Sequence, residues 1–402
     1  MSILDEIRNE EVWQDFLHEK SRRGQLSQRE EAELAAFIRD KAWVPLAETP
    51  AFDYPVKKQI AKGGSDRKRT VYLYSRAETW VLKLIAWLLC RYDERMSDHC
   101  YSFRRGKTVK SAFRDLCSLE DLDDRYVLKA DIRNYFNSID PAILCGQLRE
   151  FLADDPRLAA FLETLLTQNR CYENGELKEE MRGAMAGMPL SSFFANLYLL
   201  ELDRRFEAMK IPCFRYSDDI LILASSKEER DRAMEILEAY LSSMHLSLNP
   251  EKVNRYEPHQ GWEFLGLSYR EGDIDLSRYS IRKIKAKIRR KARKLYAWRK
   301  KTGGDYDRAA QRMIRSMDNI FYDLFGNGNF TWTRFCFPVI TKTDGLHEID
   351  EYFLLSLRYL YSGRFTKKNY RITYDHLRSL GYTPLKAEYY RWKKENRILN
   401  NQ

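Results

Sequence analysis

No stretch of the sequence approaches the roughly 18 apolar residues that a membrane helix needs. The best candidate, residues 80–90, is interrupted by Lys83. There is no CxxC pair, and the seven cysteines stand apart from one another. That excludes a disulfide scaffold or a Cys-rich zinc site and predicts reduced thiols in a cytoplasmic protein. The opening residues, MSILDEIRNEEVW, lack the basic-then-apolar pattern of a secretory signal. No internal repeat is present, and one basic run is the only biased segment. What is there is ample: 402 residues are enough for two or three domains. An apolar fraction of 44% argues against global disorder.

Charge is distributed unevenly. From residue 281 onward there are 28 basic and 11 acidic residues, a net of +17, whereas the first 280 residues carry a net of −7. A mildly acidic body with a strongly basic end is the footprint of polyanion binding. The densest part, residues 282–301, has twelve Lys or Arg and no acid. Ile281, Ile284, Ile288, Ala292 and Leu295 recur through it at helical spacing, so one stripe packs and the rest is cationic. Taken alone, this pattern also suits a solvated amphipathic helix or a membrane-surface helix.

Residues 1–50 read as polar helices with apolar Ile3, Ile7, Val12 and Phe16. Residues 56–75 read as a basic β-hairpin, 79–95 as a helix, 126–132 as an apolar strand and 141–169 as helical. Asn174-Gly175 supplies a hairpin turn. Ser191 is placed to cap one long buried helix reaching Met209. Short β-rich runs at 213–216 and 220–224 flank Ser217-Asp218-Asp219, and a helix follows over 228–244. Strands are expected near 263–269 and 274–276, with helices from 280 onward. Mixed strands and helices followed by an all-helical tail predict an α+β body with a helical module. The expected divisions are a helical extension over 1–50, a body over 51–275 and a basic helical region over 276–402.

Two places put aspartate where chemistry could use it. Asp131 ends an apolar strand, and Asp218-Asp219 sit in a tight hairpin between CFRY and ILILA. Adjacent acids repel, and a turn made only for folding would do better with Asn-Gly. A bound divalent cation resolves the conflict, since Mg²⁺ takes a few carboxylate oxygens together with water and substrate phosphates. Two such ions about 4 Å apart can activate an attacking 3′-hydroxyl and stabilise departing pyrophosphate. Asp131 with Asp218 and Asp219 would supply the ligands if neighbouring strands bring them together.

With these motifs in order over about residues 52–270, the chain resembles the bacterial reverse transcriptases of the group II intron, retron and defence-associated kind. The resemblance implies a right-hand polymerase fold of fingers, palm with an antiparallel sheet and helical thumb. It implies RNA-templated DNA synthesis from dNTPs with two Mg²⁺, Mn²⁺ being an alternative occupant. On it, Asp131, Asp218 and Asp219 are the catalytic metal ligands, and the Ile132 carbonyl is near the second metal. Tyr135, beside Phe136, takes the place of the aromatic gate against ribose. Lys62 and Arg69 hold the triphosphate, with Lys68 able to exchange roles. Lys252 is a candidate proton donor to pyrophosphate. Tyr216 lies near the primer end, and Phe103 and Arg104, in a YSFRRG stretch where Ser102 replaces the usual Gly, line the template side. Gly187 and Pro189 belong to the template-contacting loop. Leu190 stands where many relatives carry Gln, which removes a polar contact to the nucleotide. Phe264, Leu265 and Gly266 match the primer-grip hairpin.

The basic tail falls where the family has its thumb. Arg289, Arg290, Lys291, Arg293 and Lys294 suit phosphate tracking along an RNA–DNA heteroduplex or structured RNA, and Arg364, Lys367 and Lys368 suit an RNA-gripping loop. The sequence shows no zinc-bound nuclease after the thumb and no RNase H cluster. The expectation is therefore a stand-alone enzyme that copies a dedicated non-coding RNA, by analogy in anti-phage defence. Group II intron, retron and diversity-generating types stay open, as do a template-independent DNA polymerase and an inactive RNA-binding scaffold. Intact aspartates speak against the scaffold, and bulky Tyr135 against an RNA-dependent RNA polymerase.

Overall fold

In a computed structural model of the chain, the residues described are 1–48, 52–61, 68–180, 186–322, 331–365 and 367–399. They form two compact units, Met1–Gln260 and Gly261–Gln402. The architecture is α+β, and no helix among the described residues is long and apolar enough to cross a membrane.

The first unit opens with short helices whose starts are set by their caps. Ser2 and Ser27 form capping boxes before Ile3–Glu6 and Gln28–Arg39, and Asn9 caps Glu10–Arg22. Ile3, Ile7, Trp13 and Phe16 are buried beneath them. The basic hairpin pairs Val56–Ala61 with Lys68–Leu73. Its sheet continues through Arg170–Glu173 and Glu176–Glu179. Asn174 and Gly175, both at positive φ, make the two-residue turn.

A second four-stranded sheet has the order Cys213–Tyr216, Asp219–Ala224, Tyr126–Asp131, Asn254–Tyr256. All its pairings are antiparallel. Ile220–Ala224 is buried throughout, because this central strand is covered on both faces and needs no polar alternation. Helix Lys227–Ser243 packs on it. The single long helix expected from Ser191 is instead two, Ser191–Tyr198 and Leu200–Ala208, broken at Leu199. Leu190 rather than Ser191 occupies the cap position, with no side-chain hydrogen bond.

In the second unit a small antiparallel sheet, Trp262–Phe264, Leu267–Arg270 and Asp273–Leu276, precedes the helices. The division at 260/261 differs from the 275/276 boundary drawn from the sequence. The reason is hydrogen bonding: Ile274 exchanges bonds with Thr341, and Asp275 accepts from the Gly345 amide. Helix Arg278–Thr302 buries Ile281, Ile284, Ile288, Ala292 and Leu295, the stripe read from the sequence, and stops at Gly303 in the left-handed region. It packs against Asp344–Ser362 and Tyr306–Phe321.

Candidate active site

The first unit's central sheet brings the acidic residues to one edge by register. Strand Tyr126–Asp131 runs antiparallel to Asp219–Ala224 so that Asp131 lies directly opposite Asp219. Tyr216 pairs with Asp219, which leaves Ser217-Asp218 as a two-residue turn with positive φ at Ser217. The Ile132 amide donates to the Asp218 carbonyl at 3.1 Å, and the Asn249 amide to the Asp131 carbonyl at 2.8 Å. The chain between Pro250 and Lys252 forms a short 3₁₀ turn. From it, Lys252 Nζ reaches Asp131 Oδ2 at 2.5 Å.

Asp131 is 4% exposed. Burial first, then the charges of Asp218 and Asp131, push the Asp219 carboxyl up to about 6. Burial pulls Lys252 down, but its hydrogen bond to Asp131 and the surrounding carboxylates raise it overall. The cluster is thus a set of hard oxygen donors whose charge is only partly compensated, the chemistry that suits a divalent cation. Among the described residues no three acidic, imidazole or thiol groups are gathered into a ready-made cation cage. An open edge of this sort suits Mg²⁺, which keeps much of its shell for water and phosphate oxygens.

Several residues singled out in the sequence stand elsewhere. Tyr135 is not at the site: its ring is 2% exposed and its hydroxyl donates to the Ala195 carbonyl. A ring held in the core cannot crowd a ribose. Phe136, its neighbour, is half-buried. Leu190 is fully buried and fills the core instead of facing a nucleotide. Arg104 turns inward, its guanidinium donating to the carbonyls of Asp93, Ser97 and Cys100, so it fastens its own loop and not a template. Phe103, 48% exposed, lies against Tyr216 with ring centroids 6.3 Å apart. Gly187 is exposed at φ +107, and a Cβ there would come within 3.1 Å of the Tyr72 carbonyl, so the fingers-side strand requires glycine. Pro189 is half-buried beside it. Lys62 lies outside the described residues, as do the side chains of Arg69, Lys367 and Lys368.

In the second unit, Leu265 and Gly266, both at positive φ, form the turn between two strands, while Phe264 is 1% exposed and belongs to the core. The Phe264 ring therefore cannot grip a primer, and Leu265 and Gly266 of the turn beside it are half-buried. Arg282, Lys285, Arg289, Arg290 and Arg293, with Tyr352, line a shallow groove of about 410 Å³. Lys291 and Lys294 are not among its walls. Phe365, 51% exposed, stacks on Tyr359 at 5.0 Å and Tyr352 at 6.5 Å, next to exposed Arg364.

Sequence reasoning missed a buried ion pair behind the turn. Arg215 donates to both oxygens of Asp203, at 2.7 and 2.5 Å, and both residues are about 1% exposed or less. The available signal was an arginine inside an otherwise apolar strand, CFRY.

The sequence profile described as "Reverse transcriptase (RNA-dependent DNA polymerase)" matches residues 60–269. Retron Ec86 reverse transcriptase of Escherichia coli is 23% identical over 246 residues, covering 60% of this chain and 70% of that protein. Among solved structures, apo telomerase from Candida tropicalis aligns with a TM-score of 0.47 at 13% identity, over 83% of this chain and 60% of that one. Telomerase from Candida albicans, solved with a fragment of telomeric RNA, aligns with a TM-score of 0.45 at 12% identity, over 82% and 64%. The chain thus spans less than two thirds of either telomerase structure.

Proposed function

We propose that this chain, which belongs to the reverse transcriptase family, copies a dedicated structured RNA into DNA at the Asp131–Asp218–Asp219 edge. The observation that carries the proposal is the register that sets Asp131 opposite Asp219 at a tight acidic turn, with Lys252 on Asp131. Asp131, Asp218 and Asp219, with the Ile132 carbonyl, are the residues that would hold divalent cations, two Mg²⁺ on this reading. When bound, the cations supply the charge that activates a 3′-hydroxyl and neutralises the departing pyrophosphate. Lys252 holds a proton close to that edge and can deliver it to the leaving group. Tyr216 and Phe103 form an aromatic ledge suited to a terminal base pair.

Sugar selection passes to Phe136 on this reading, because Tyr135 is committed to the core. Phe136→Ala should raise incorporation of ribonucleotides relative to deoxynucleotides by tenfold or more, as measured by single-nucleotide extension. Tyr135→Phe should leave that ratio unchanged and cost about 1 kcal/mol of stability through its lost buried hydrogen bond. Tyr135→Val, which removes the ring itself, should also leave the ratio unchanged, and a ratio shifted toward ribonucleotides in that variant would return the gate to Tyr135.

RNA is assigned to the basic groove of the second unit. Its arginines suit phosphates, and the exposed Phe365 stack suits an unpaired base. Changing Arg282, Arg289 and Arg293 together to Gln should weaken RNA binding and flatten its log–log salt dependence by about 0.7–0.9 for each phosphate no longer neutralised. An unchanged slope would place the RNA elsewhere. Similarity to a retron reverse transcriptase supports RNA-templated synthesis, and on our reading one dedicated RNA is both scaffold and template. Purifying the protein from its native locus and sequencing the bound RNA and DNA tests this, and products unrelated to any bound RNA would favour template-independent synthesis. The anti-phage role is carried over by analogy from the defence-associated enzymes that the sequence resembles, and the N-terminal helical extension is the feature that favours it. It predicts that phage plate less efficiently on cells carrying the intact locus than on cells carrying an Asp218→Ala copy.

A further inference from the structure

We infer that Ser102 is a positioning residue for the acidic turn, acting through a buried cradle that holds both backbone groups of Ser217. This rests on the reading of that turn as the polymerase centre.

Ser217 begins the turn at φ 62, where an L-residue is strained. Its own hydroxyl is buried and has no hydrogen-bond partner, so nothing in its side chain holds the conformation. The backbone is held from outside. The Ser217 amide donates to Ser102 Oγ at 2.9 Å, and the Ser217 carbonyl accepts from Arg215 Nη1 at 3.4 Å. That carbonyl belongs to the peptide leading into Asp218.

Each support is itself fixed. Ser102 is fully buried and donates its hydroxyl proton to Asn196 Oδ1 at 3.0 Å, which leaves the oxygen free to accept from Ser217. Asn196 Nδ2 returns a bond to the Ser102 carbonyl at 2.7 Å, clasping the residue from both ends. Arg215 is locked by both oxygens of Asp203 and also donates to the Asn196 carbonyl at 3.3 Å. Main-chain bonds from the Arg215 amide to His99 and from the Tyr101 amide to Arg215 hold the 99–102 segment beside the hairpin. The network is closed: the turn-facing hydroxyl, amide and guanidinium of Ser102, Asn196 and Arg215 each have partners, and all three residues are at most 2% exposed. A residue without a hydroxyl at 102 would leave the Ser217 amide unpaired in the interior, and the turn would gain freedom at the residue before Asp218.

The test compares Ser102→Ala and Ser102→Gly with the unmodified chain. It uses hydrogen–deuterium exchange of the 213–220 peptide and the Mg²⁺ dependence of nucleotide incorporation. The expected result is exchange at the turn faster by roughly five- to tenfold in both variants, with the neighbouring strand Tyr126–Asp131 unaffected. The Mg²⁺ concentration for half-maximal rate should rise several-fold and kcat should fall, while KM for dNTP stays within about twofold. Asn196→Ala should give the same signature, and combining it with Ser102→Ala should add little. Unchanged exchange at the turn would overturn the inference while leaving the polymerase reading intact. Faster exchange across the whole sheet, in step with a lowered Tm, would overturn it too by reducing Ser102 to a packing residue. Absence of incorporation in the unmodified chain would instead sink the reading of the turn, with the exchange result still reporting on the cradle.

Discussion

Replacing Asp218 and Asp219 with alanine is expected to lower nucleotide incorporation by about 10³-fold or more, some 4 kcal/mol of lost transition-state stabilisation. RNA affinity should stay within about twofold, since the basic groove lies in the other unit. Stability should move the opposite way from activity. The Asp219 carboxyl is raised to about 6 from an ordinary 3.8, so the folded chain disfavours its ionised form. Above pH 6 that conflict costs roughly 1–3 kcal/mol in the absence of metal, and it disappears as the pH falls toward 3.8. In EDTA at pH 7.5, Asp219→Ala should therefore melt above the unmodified chain, and the gain should fade between pH 6 and pH 4. A dead variant that is also less stable at pH 7.5 would make Asp219 a structural residue.

The second large effect concerns Asp203. Removing it leaves Arg215 charged, buried and without its bidentate partner. Burial works against that charge, and Asp203, Cys100 and Tyr135 together keep the guanidinium above its usual range. Asp203→Ala should cost about 3–5 kcal/mol, or about 10 °C in Tm. Thermal melting of the double variant Asp203→Leu, Arg215→Met decides the cause. If desolvation of a lone cation dominates, the double variant is more stable than Asp203→Ala. If it is less stable, the polar network itself contributes net stability.

The convergence of Asp131, Asp218, Asp219 and Lys252 on one sheet edge was legible in the sequence because its signals are local. An apolar strand ending in Asp131, two β-rich runs around adjacent acids, and a lysine after Asn249-Pro250 sit in the order that the sheet later brings together. The stripe Ile281, Ile284, Ile288, Ala292 and Leu295 was equally legible, since 3.6-residue periodicity needs no tertiary information. The misread site residues all concern which way a side chain points. Tyr135 and Phe136 are adjacent aromatics on a short helical turn, Tyr135–Ser138. One residue there rotates the side chain by roughly 100°, and the ring that goes inward is the one packed in the core with its hydroxyl on the Ala195 carbonyl. Arg104 reads as a surface cation until three carbonyls of its own loop are seen around it. Leu190 reads as a missing polar group at the nucleotide, but packing makes it a core residue. The break at Leu199 has no glycine or proline to announce it. Ser102 was visible as a departure from its relatives, whereas its partners Asn196 and Ser217 lie 94 and 115 positions away.

The most direct test of the acidic centre is cleavage of the polypeptide by hydroxyl radicals generated at Fe²⁺ bound in place of Mg²⁺, with the cut sites read by mass spectrometry. The account predicts paired cuts close to residue 131 and within 216–220, both suppressed by excess Mg²⁺ and both lost in Asp131→Asn. Cuts at only one of the two segments, or at neither, would mean that these side chains do not share a metal, and the account would be wrong.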